Sequence, residues 1–560
     1  MSTGAPLPPL SLSVGIVGHR ADRIVDADAV RSRLDELLGG IDAALAGPGR
    51  RQPHGKYMGL RLVSALAEGA DRLAAETAFE RGMPLVAVLP FRAEEYERDF
   101  ADGLSRETFQ TLLGQAEAVI ILDGAVDGRD RAYDGVGVAL LENCDLLIAV
   151  WDGEPGRGRG GTREVIEEAA RRAMPVVIVS PDGASATIRS AGADAGPMRF
   201  DDVPTLPASD LPVVVETIVA GASANAGETG NWQRLAKLPR APLIHGAYPL
   251  LLRLAGVAPR RRRQVAEAAP SEEKRDTLGE AFHWWDAAAI RSAQAFRSAV
   301  IVNFALAALA VVLAAVSVLA GHQQKWLFVA AEVATILLLL ANTLSARRRD
   351  WQERWLESRE VAELLRVSIM LRRVGIGRGV AAGGGWIGWY AGALARGAAP
   401  EGANLFDLAP AGPLLAEVED QAKWNAATAH RMHLAAHRIE RFGEILFGLV
   451  LAAAIGWLVL HFITPEQSYA LQYPLTALTA GLPAIATASY GIRVILDFEG
   501  VAERSHRIAI GLEALLAKWQ VGTRDGAALQ DFARRAADIM LADVAAWRLL
   551  AEGRRLTIPG

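Results

Sequence analysis

The chain of 560 residues contains a single cysteine, Cys144. This excludes an internal disulfide framework and a zinc cluster built on cysteines. Cys144 lies in the apolar stretch LLENCDLLIAVW and reads as a small core residue. A large charge excess is also missing, the formal net charge being −5. Without a global basic field, no nucleic-acid partner is expected. The N-terminal segment MSTGAPLPPLSLSVGIVGHR lacks a basic stretch followed by an apolar core, so it does not read as a secretory signal. No metal ligand set is identified.

Apolar length is what the chain has in plenty. Apolar residues make up 51% of it and the mean hydropathy is +0.18. The excess is concentrated in four runs, Ser298–Ala320, Trp326–Leu344, Phe442–Phe462 and Ala470–Ile492. Each is about 20 residues long, enough to cross a ~30 Å hydrocarbon core as a helix. In lipid the backbone must bond within the segment, so membrane-spanning runs should be helical. A large buried helical core is the alternative.

Basic residues flank the runs on one side. Arg297 precedes the first, Arg347–Arg349 follow the second, Arg431, Arg438 and Arg441 precede the third, and Arg493 follows the fourth. The short connections GHQQK and TPEQSY carry little positive charge. The positive-inside rule then puts both termini in the cytoplasm of a multi-pass inner (plasma) membrane protein.

Residues 11–180 alternate apolar strands with helical segments. LSVGIVG, LRLVSAL, PLVAVLP, AEAVIILD, CDLLIAVW and MPVVIVSP read as strands. Near-continuous Val, Ile and Leu in strands separated by helices indicates an α/β fold: a parallel sheet with helices on both faces, Rossmann-like. Residues 181–277 are rich in Gly, Ala and Ser and read as a linker or irregular segment. Within them Arg260–Arg263 could meet anionic headgroups or simply be solvated. Beyond lies an all-α part with two copies of one unit, residues 278–373 and 421–550. Each has a polar helix, a two-helix membrane hairpin and a charged helix. The Gly/Ala-rich connector 374–420 carries Trp386, Trp389 and Tyr390, suited either to a membrane interface or to packing on the front domain.

Three segments of the front domain have ligand-site chemistry. In GIVGHR, Gly18 permits close backbone approach after the first strand, and His19 and Arg20 would flank an anion. In SALAEGADRLAAE, Gly69 opens a turn and Asp71 begins a helix, either as a first-turn acid or as a ligand contact. Glu68 could accept from a ribose hydroxyl. In GRGRGGTREVIEE, Gly160 and Gly161 precede a helix, and Thr162 is placed to cap it and to donate to a phosphate. Arg157, Arg159 and Arg163 add positive charge there.

Together these three segments resemble the SLOG superfamily, which includes Smf/DprA and the Lonely Guy phosphoribohydrolases. The resemblance covers roughly residues 11–180 and implies a Rossmann-like domain binding a nucleotide or nucleotide-derived ligand. It carries ligand contacts onto Gly18, His19, Arg20, Gly69, Asp71, Gly160, Gly161 and Thr162. Hydrolase members place a catalytic Glu three residues after the loop Thr, where this chain has Val165. Glu164 and Arg20 remain as catalytic candidates for a membrane-anchored nucleotide-processing enzyme. The back half is similar to SLATT domains, through Arg354, Trp355, Ser358, Arg359 and Ala362–Glu363 after the first hairpin and Glu503, Arg504, Ser505 and Arg507 after the second. That likeness implies a pore-forming membrane effector in a bacterial conflict or signalling system, acting as a homo-oligomer in the bilayer.

Polar residues in the spans are candidates for the pore or for helix pairing, chiefly Asn303 and Glu332, since a charge in lipid is costly. Glu332 would otherwise sit at the outer interface. The leading expectation is a cytoplasmic nucleotide sensor gating a membrane effector. A membrane-anchored enzyme is the second, and a membrane protein whose front domain only binds partners is the third.

Overall fold

The structure is a computed structural model that describes residues 4–47, 55–124, 128–154, 161–192, 196–220, 235, 237, 244–257, 277–320, 323–378 and 385–552, with the side chains of 543–552 excepted. The front of the chain runs β1 (Leu10–Gly18), α1 (Ala27–Ala46), β2 (Tyr57–Ser64), α2 (Ala70–Glu80), β3 (Leu85–Leu89), α3 (Ala93–Tyr96), α4 (Gly103–Gly114) and β4 (Ala118–Ile121). It continues through α5 (Arg129–Leu141), β5 (Leu146–Val150), α6 (Thr162–Arg171), β6 (Val176–Val179), β7 (Ala186–Arg189), β8 (Thr205–Pro207) and α7 (Leu211–Ala220). With β9 (Ala403–Asn404) these strands form one sheet in the order β8-β7-β6-β5-β1-β2-β3-β4-β9. Pairings from β6 to β9 through β1 are parallel, whereas β6–β7 and β7–β8 are antiparallel.

Alternate residues of the strands feed two cores. Leu12, Val14, Ile16, Leu62, Ile148 and Val150 pack with residues of α1, α2 and α7. Val63, Val86, Val88, Leu147 and Ala149 pack with α5, α6 and the C-terminal helices. Burial on both faces is why these strands carry near-continuous apolar sequence. The sheet is mixed rather than wholly parallel, and it does not stop at residue 180. The segment read as a linker supplies β7, β8 and α7. Ile188 is fully buried on β7, while its neighbours are small or polar. An edge strand with one buried side chain has little apolar signal of its own.

The C-terminal part is helical: α8 (Ala247–Leu254), α9 (Thr277–Ser317), α10 (Lys325–Arg348), α11 (Trp351–Arg372), α12 (Gly385–Gly397), α13 (Ala411–Ile463), α14 (Pro465–Ile495), α15 (Phe498–Val521) and α16 (Gly526–Glu552). Four stretches of these helices are long and apolar enough to cross a membrane. α9 has 41 residues and α13 has 53. At ~1.5 Å per residue they reach about 60 and 80 Å, at least twice the ~30 Å hydrocarbon thickness. Their apolar halves pack on α10 and α14, and their polar halves on α11 and α15. α14 also packs on α9, joining the two helix pairs. Between α10 and α11 the chain breaks at Asp350 (φ 49°), and between α14 and α15 at Asp497 (φ 52°), both left-handed. Trp351 and Phe498 follow the breaks, each 2% exposed, in one shared core. The two return segments therefore turn by the same local device.

Residues 374–420 are not a loose connector, for they supply α12 and β9. Trp386, Trp389 and Tyr390 are buried against Trp284, Trp285 and Leu394. The Trp389 indole N–H donates to Val219 O at 3.1 Å, and Tyr390 OH to Pro6 O at 2.7 Å. Of the two placements read from sequence, packing on protein is therefore the one adopted. The C-terminus of α12 is capped by arginines from two other elements. Arg61 of β2 donates to Arg396 O and Ala398 O, and Arg372 of α11 to Ala395 O and Ala399 O. Cations at a helix C-terminus satisfy its orphan carbonyls and its dipole.

Candidate functional site

The chain leaves β1 toward β2, β3 and β4, then returns to lay β5 on the opposite side of β1. β1 and β5 are thus neighbours whose connections diverge. In open α/β sheets ligands bind outside the carboxyl ends of the strands at such a point. Gly18, His19 and Arg20 follow β1, Gly69 and Asp71 follow β2, and Gly161 and Thr162 follow β5. β5, β1 and β2 are adjacent, so three separate stretches of sequence arrive at one edge.

The turn after β1 is tightly built. A Cβ on Gly18 would lie 2.5 Å from Ala70 Cβ and 2.9 Å from Val150 Cβ. Gly69 has φ 100°, and a Cβ there would meet His19 O at 2.4 Å. Both glycines are needed for close approach of the β1 turn to the head of α2. The His19 N–H donates to Val150 O at 3.0 Å, and Ala70 N–H to His19 O at 3.1 Å. His19 is 7% exposed. Its Nε2 lies 3.1 Å from the Asp152 N–H and 3.0 Å from Asp152 Oδ1. Neutral His19 protonated on Nδ1 accepts from the amide; with Nε2 protonated it donates to the carboxylate. Arg23 also pairs with Asp152. Burial raises the Asp152 pKa, but the Glu154 N–H, His19 and Arg23 outweigh it and hold the carboxyl below its ordinary value. Asp152 and Arg23 were not singled out from sequence. An acid directly after Trp151, the residue that follows β5, was the available signal.

Asp71 is 5% exposed and turned inward. Burial pushes its carboxyl up to about 7, opposed by N–H bonds from Ala67 and Ala65 and by Arg72. It therefore props the loop from β2 to α2, in which Leu66 has φ 57°, and is not a surface ligand contact. Glu68 is committed to a neighbouring loop, accepting from Ala101 N–H at 3.0 Å and from the Ser105 hydroxyl. Burial raises the Glu68 pKa, but these bonds together with Arg72 and Arg20 hold it below the usual range. Arg20 is exposed, and its side chain makes no hydrogen bond among the described residues. It is the cation at the mouth of this edge.

Gly161, not Thr162, occupies the N-cap of α6, and as a glycine it supplies no side-chain cap. Thr162 is the first helical residue. The first-turn N–H groups and the helix dipole favour an anion. Gly160, Arg157 and Arg159 lie outside the described residues. Val165 is 7% exposed and belongs to the core, where a Cβ on Gly137 would strike it at 2.7 Å. Glu164, one position before it, is exposed.

In the apolar helices, Asn303 is 1% exposed. It donates to Thr343 Oγ1 at 2.8 Å and accepts from Asn342 Nδ2 at 2.7 Å. Asn303 thus ties α9 to α10 and does not face an open path within this chain. Glu332 is half-buried and makes no hydrogen bond or ion pair among the described residues. The cluster Arg260–Arg263 lies outside the described residues. Among the described residues no group of His, Cys, Asp and Glu could hold a metal ion. Cys144 is buried with its thiol pushed up to about 12 by burial, Sγ 3.7 Å from Met174 Sδ, as a core residue should be. Comparison of the chain with protein-family models, with curated proteins and with solved structures finds no match.

Proposed function

We propose that this chain is a multi-pass membrane protein whose front domain, Rossmann-like and of SLOG type, binds a nucleotide-derived ligand in the cytoplasm. Its two SLATT-like hairpins form the effector, most simply a pore completed by several copies. One observation carries the reading: Gly18, Gly69 and Gly161 follow three adjacent strands at the point where the strand order reverses. There the exposed Arg20 and the N-terminus of α6, headed by Gly161, offer positive potential to a phosphate. The apolar windows support the membrane part, since only 6% of that in α13 and 17% of that in α10 is buried within the chain. Such faces need lipid or further subunits. The flanking arginines put both termini on the cytoplasmic side.

Enzymatic hydrolysis is the weaker reading, because the position matching the hydrolase glutamate is the core residue Val165. The test is nucleotide binding to the full-length protein in detergent. Gly69→Val, which drives a side chain into His19 O, and Arg20→Gln are each expected to weaken nucleotide affinity about tenfold or more. Affinity unchanged by both substitutions overturns the site. Nucleotide-dependent conductance in liposomes is the expected readout of the effector. Base release from a nucleoside monophosphate, lost in Glu164→Gln, would favour the enzyme.

A further inference from the structure

The polar halves of the long helices do not close on one another. A cavity of about 380 Å³ lies between α9, α11, α13 and α15, with α8 and α16 at its borders. This is within the size range of small-molecule sites, roughly 300–1,000 Å³. Five arginines line it, Arg297, Arg359, Arg366, Arg431 and Arg504, against one carboxylate, Glu363. Glu363 pairs with Arg359 at 2.5 Å and with Arg366 at 2.9 Å. Behind the wall Asp286 stands 3.8 Å from Arg366, and Asp497 stands 2.9 Å from Arg504. Counting both, five arginines face three carboxylates among the described residues. Arg366, Arg504 and Glu363 are each less than a tenth exposed, so this charge is held away from bulk water.

The wall is also aromatic. Tyr248, Trp355 and Trp424 line it. The Arg297 guanidinium lies 5.0 Å from the Tyr248 ring centre and 4.8 Å from that of Trp355, which fixes its direction. Arg431 donates to Ala427 O and Thr428 Oγ1 of its own helix. The arginines come from both helix pairs, Arg297, Arg359 and Arg366 from the first and Arg431 and Arg504 from the second. Excess guanidinium in a partly enclosed, aromatic-walled space matches a phosphate carrying an organic group.

We propose that this cavity binds an organic phosphate, its oxygens meeting the arginines of both helix pairs and its carbon part lying against Trp355 and Trp424. The bound molecule bridges the two pairs and holds them in one arrangement. The site is separate from the sheet edge and does not depend on that reading. Arg297 directly precedes the apolar run that starts at Ser298, so a phospholipid headgroup reaches the cavity as readily as a free nucleotide.

The experiment uses delipidated full-length protein in detergent, titrated with adenosine triphosphate and with short-chain phosphatidylglycerol, and read by native mass spectrometry and tryptophan fluorescence. At least one of them is expected to bind, and in an Arg20→Gln background, which takes the sheet edge out of the readout, its affinity falls about tenfold or more with Arg297→Gln and with Arg431→Gln. Loss confined to phosphatidylglycerol identifies a lipid headgroup as the source; loss confined to the nucleotide identifies a soluble one. If Arg297→Gln does not fold, Arg431→Gln carries the test. No binding of either molecule overturns the proposal. So does binding, in that background, that neither Arg297→Gln nor Arg431→Gln weakens.

Discussion

Asp71 is the residue whose chemistry departs most from its sequence appearance. An acid in the first turn of a helix looks like a dipole partner, but this one is buried beneath its own loop. Its carboxyl is raised to about 7 by burial, above the ordinary unfolded value of ~3.9. A folded-state pKa above the unfolded one means that the folded state binds the proton more tightly. Stability from this group is therefore full at low pH and falls as pH rises from about 4 to about 7, then levels off. Between about pH 5 and about pH 8 the loss is roughly 2–3 kcal/mol. Asp71→Asn keeps an acceptor for the Ala65 and Ala67 N–H groups but cannot ionise. Its melting temperature should fall less than the parent's across that interval, as measured on full-length protein in detergent. Equal falls in both proteins would show that Asp71 is not the titrating group. Which acids reach a ligand and which brace a loop is decided by the fold of residues 64–71, and the spacing of acids in the sequence is the same for either role. Gly18 and Gly69 were legible because close backbone approach admits only glycine, whereas the pairing of His19 with Asp152 joins positions 133 apart and leaves no local pattern.

At the scale of elements, sequence was most informative where burial is continuous. β1 to β6 are rich in Val, Ile and Leu because helices cover both faces, and their positions follow from that run of residues. β7, β8 and β9 borrow their order from a neighbouring strand, so small and polar residues suffice. The same limit applies to α12, whose aromatic residues suit lipid and protein alike until Val219 and Pro6 accept their polar hydrogens. Helix packing in the apolar region rests on smaller signals. A Cβ at Gly491 of α14 would lie 2.2 Å from the Phe304 ring of α9, and one at Gly481 would lie 3.4 Å from Val312. Glycine lets α14 approach α9 closely, and this contact joins the two helix pairs. Gly491→Val should destabilise by about 1–3 kcal/mol through overpacking. Because the clash is with a ring, Phe304→Leu added to it should restore much of the melting temperature. A double variant no more stable than Gly491→Val would show that the cost arises elsewhere in α14.

For the whole molecule the question is how an event at the carboxyl edge of the sheet could reach the apolar helices. At that edge Asp123, two residues beyond β4, accepts N–H bonds from Gly526 at 2.6 Å and Ala527 at 3.1 Å, capping α16. Arg92, after β3, pairs with Asp407, after β9. α16 in turn packs on α11 and α15, the two charged helices that return from the apolar region. The arginine caps of α12, by contrast, sit with Ser13 and Asp145 toward the amino ends of the strands. A ligand can shift the helices only if it binds one arrangement more tightly than another, and the tie that transmits this difference must move with the ligand edge. Asp123 is three strands away from β1 in the sheet, so Asp123→Ala should leave nucleotide affinity within about twofold of the parent. Loss of a helix cap costs about 1 kcal/mol locally, enough to loosen α16 without unfolding the sheet. Hydrogen exchange in α13 to α15 should respond to nucleotide in the parent and respond less in Asp123→Ala, while the Arg61→Met variant, cut at the opposite edge, keeps the response. An undiminished response in Asp123→Ala would place the route to the membrane helices elsewhere, with β9 and the Arg92–Asp407 pair the next link to cut.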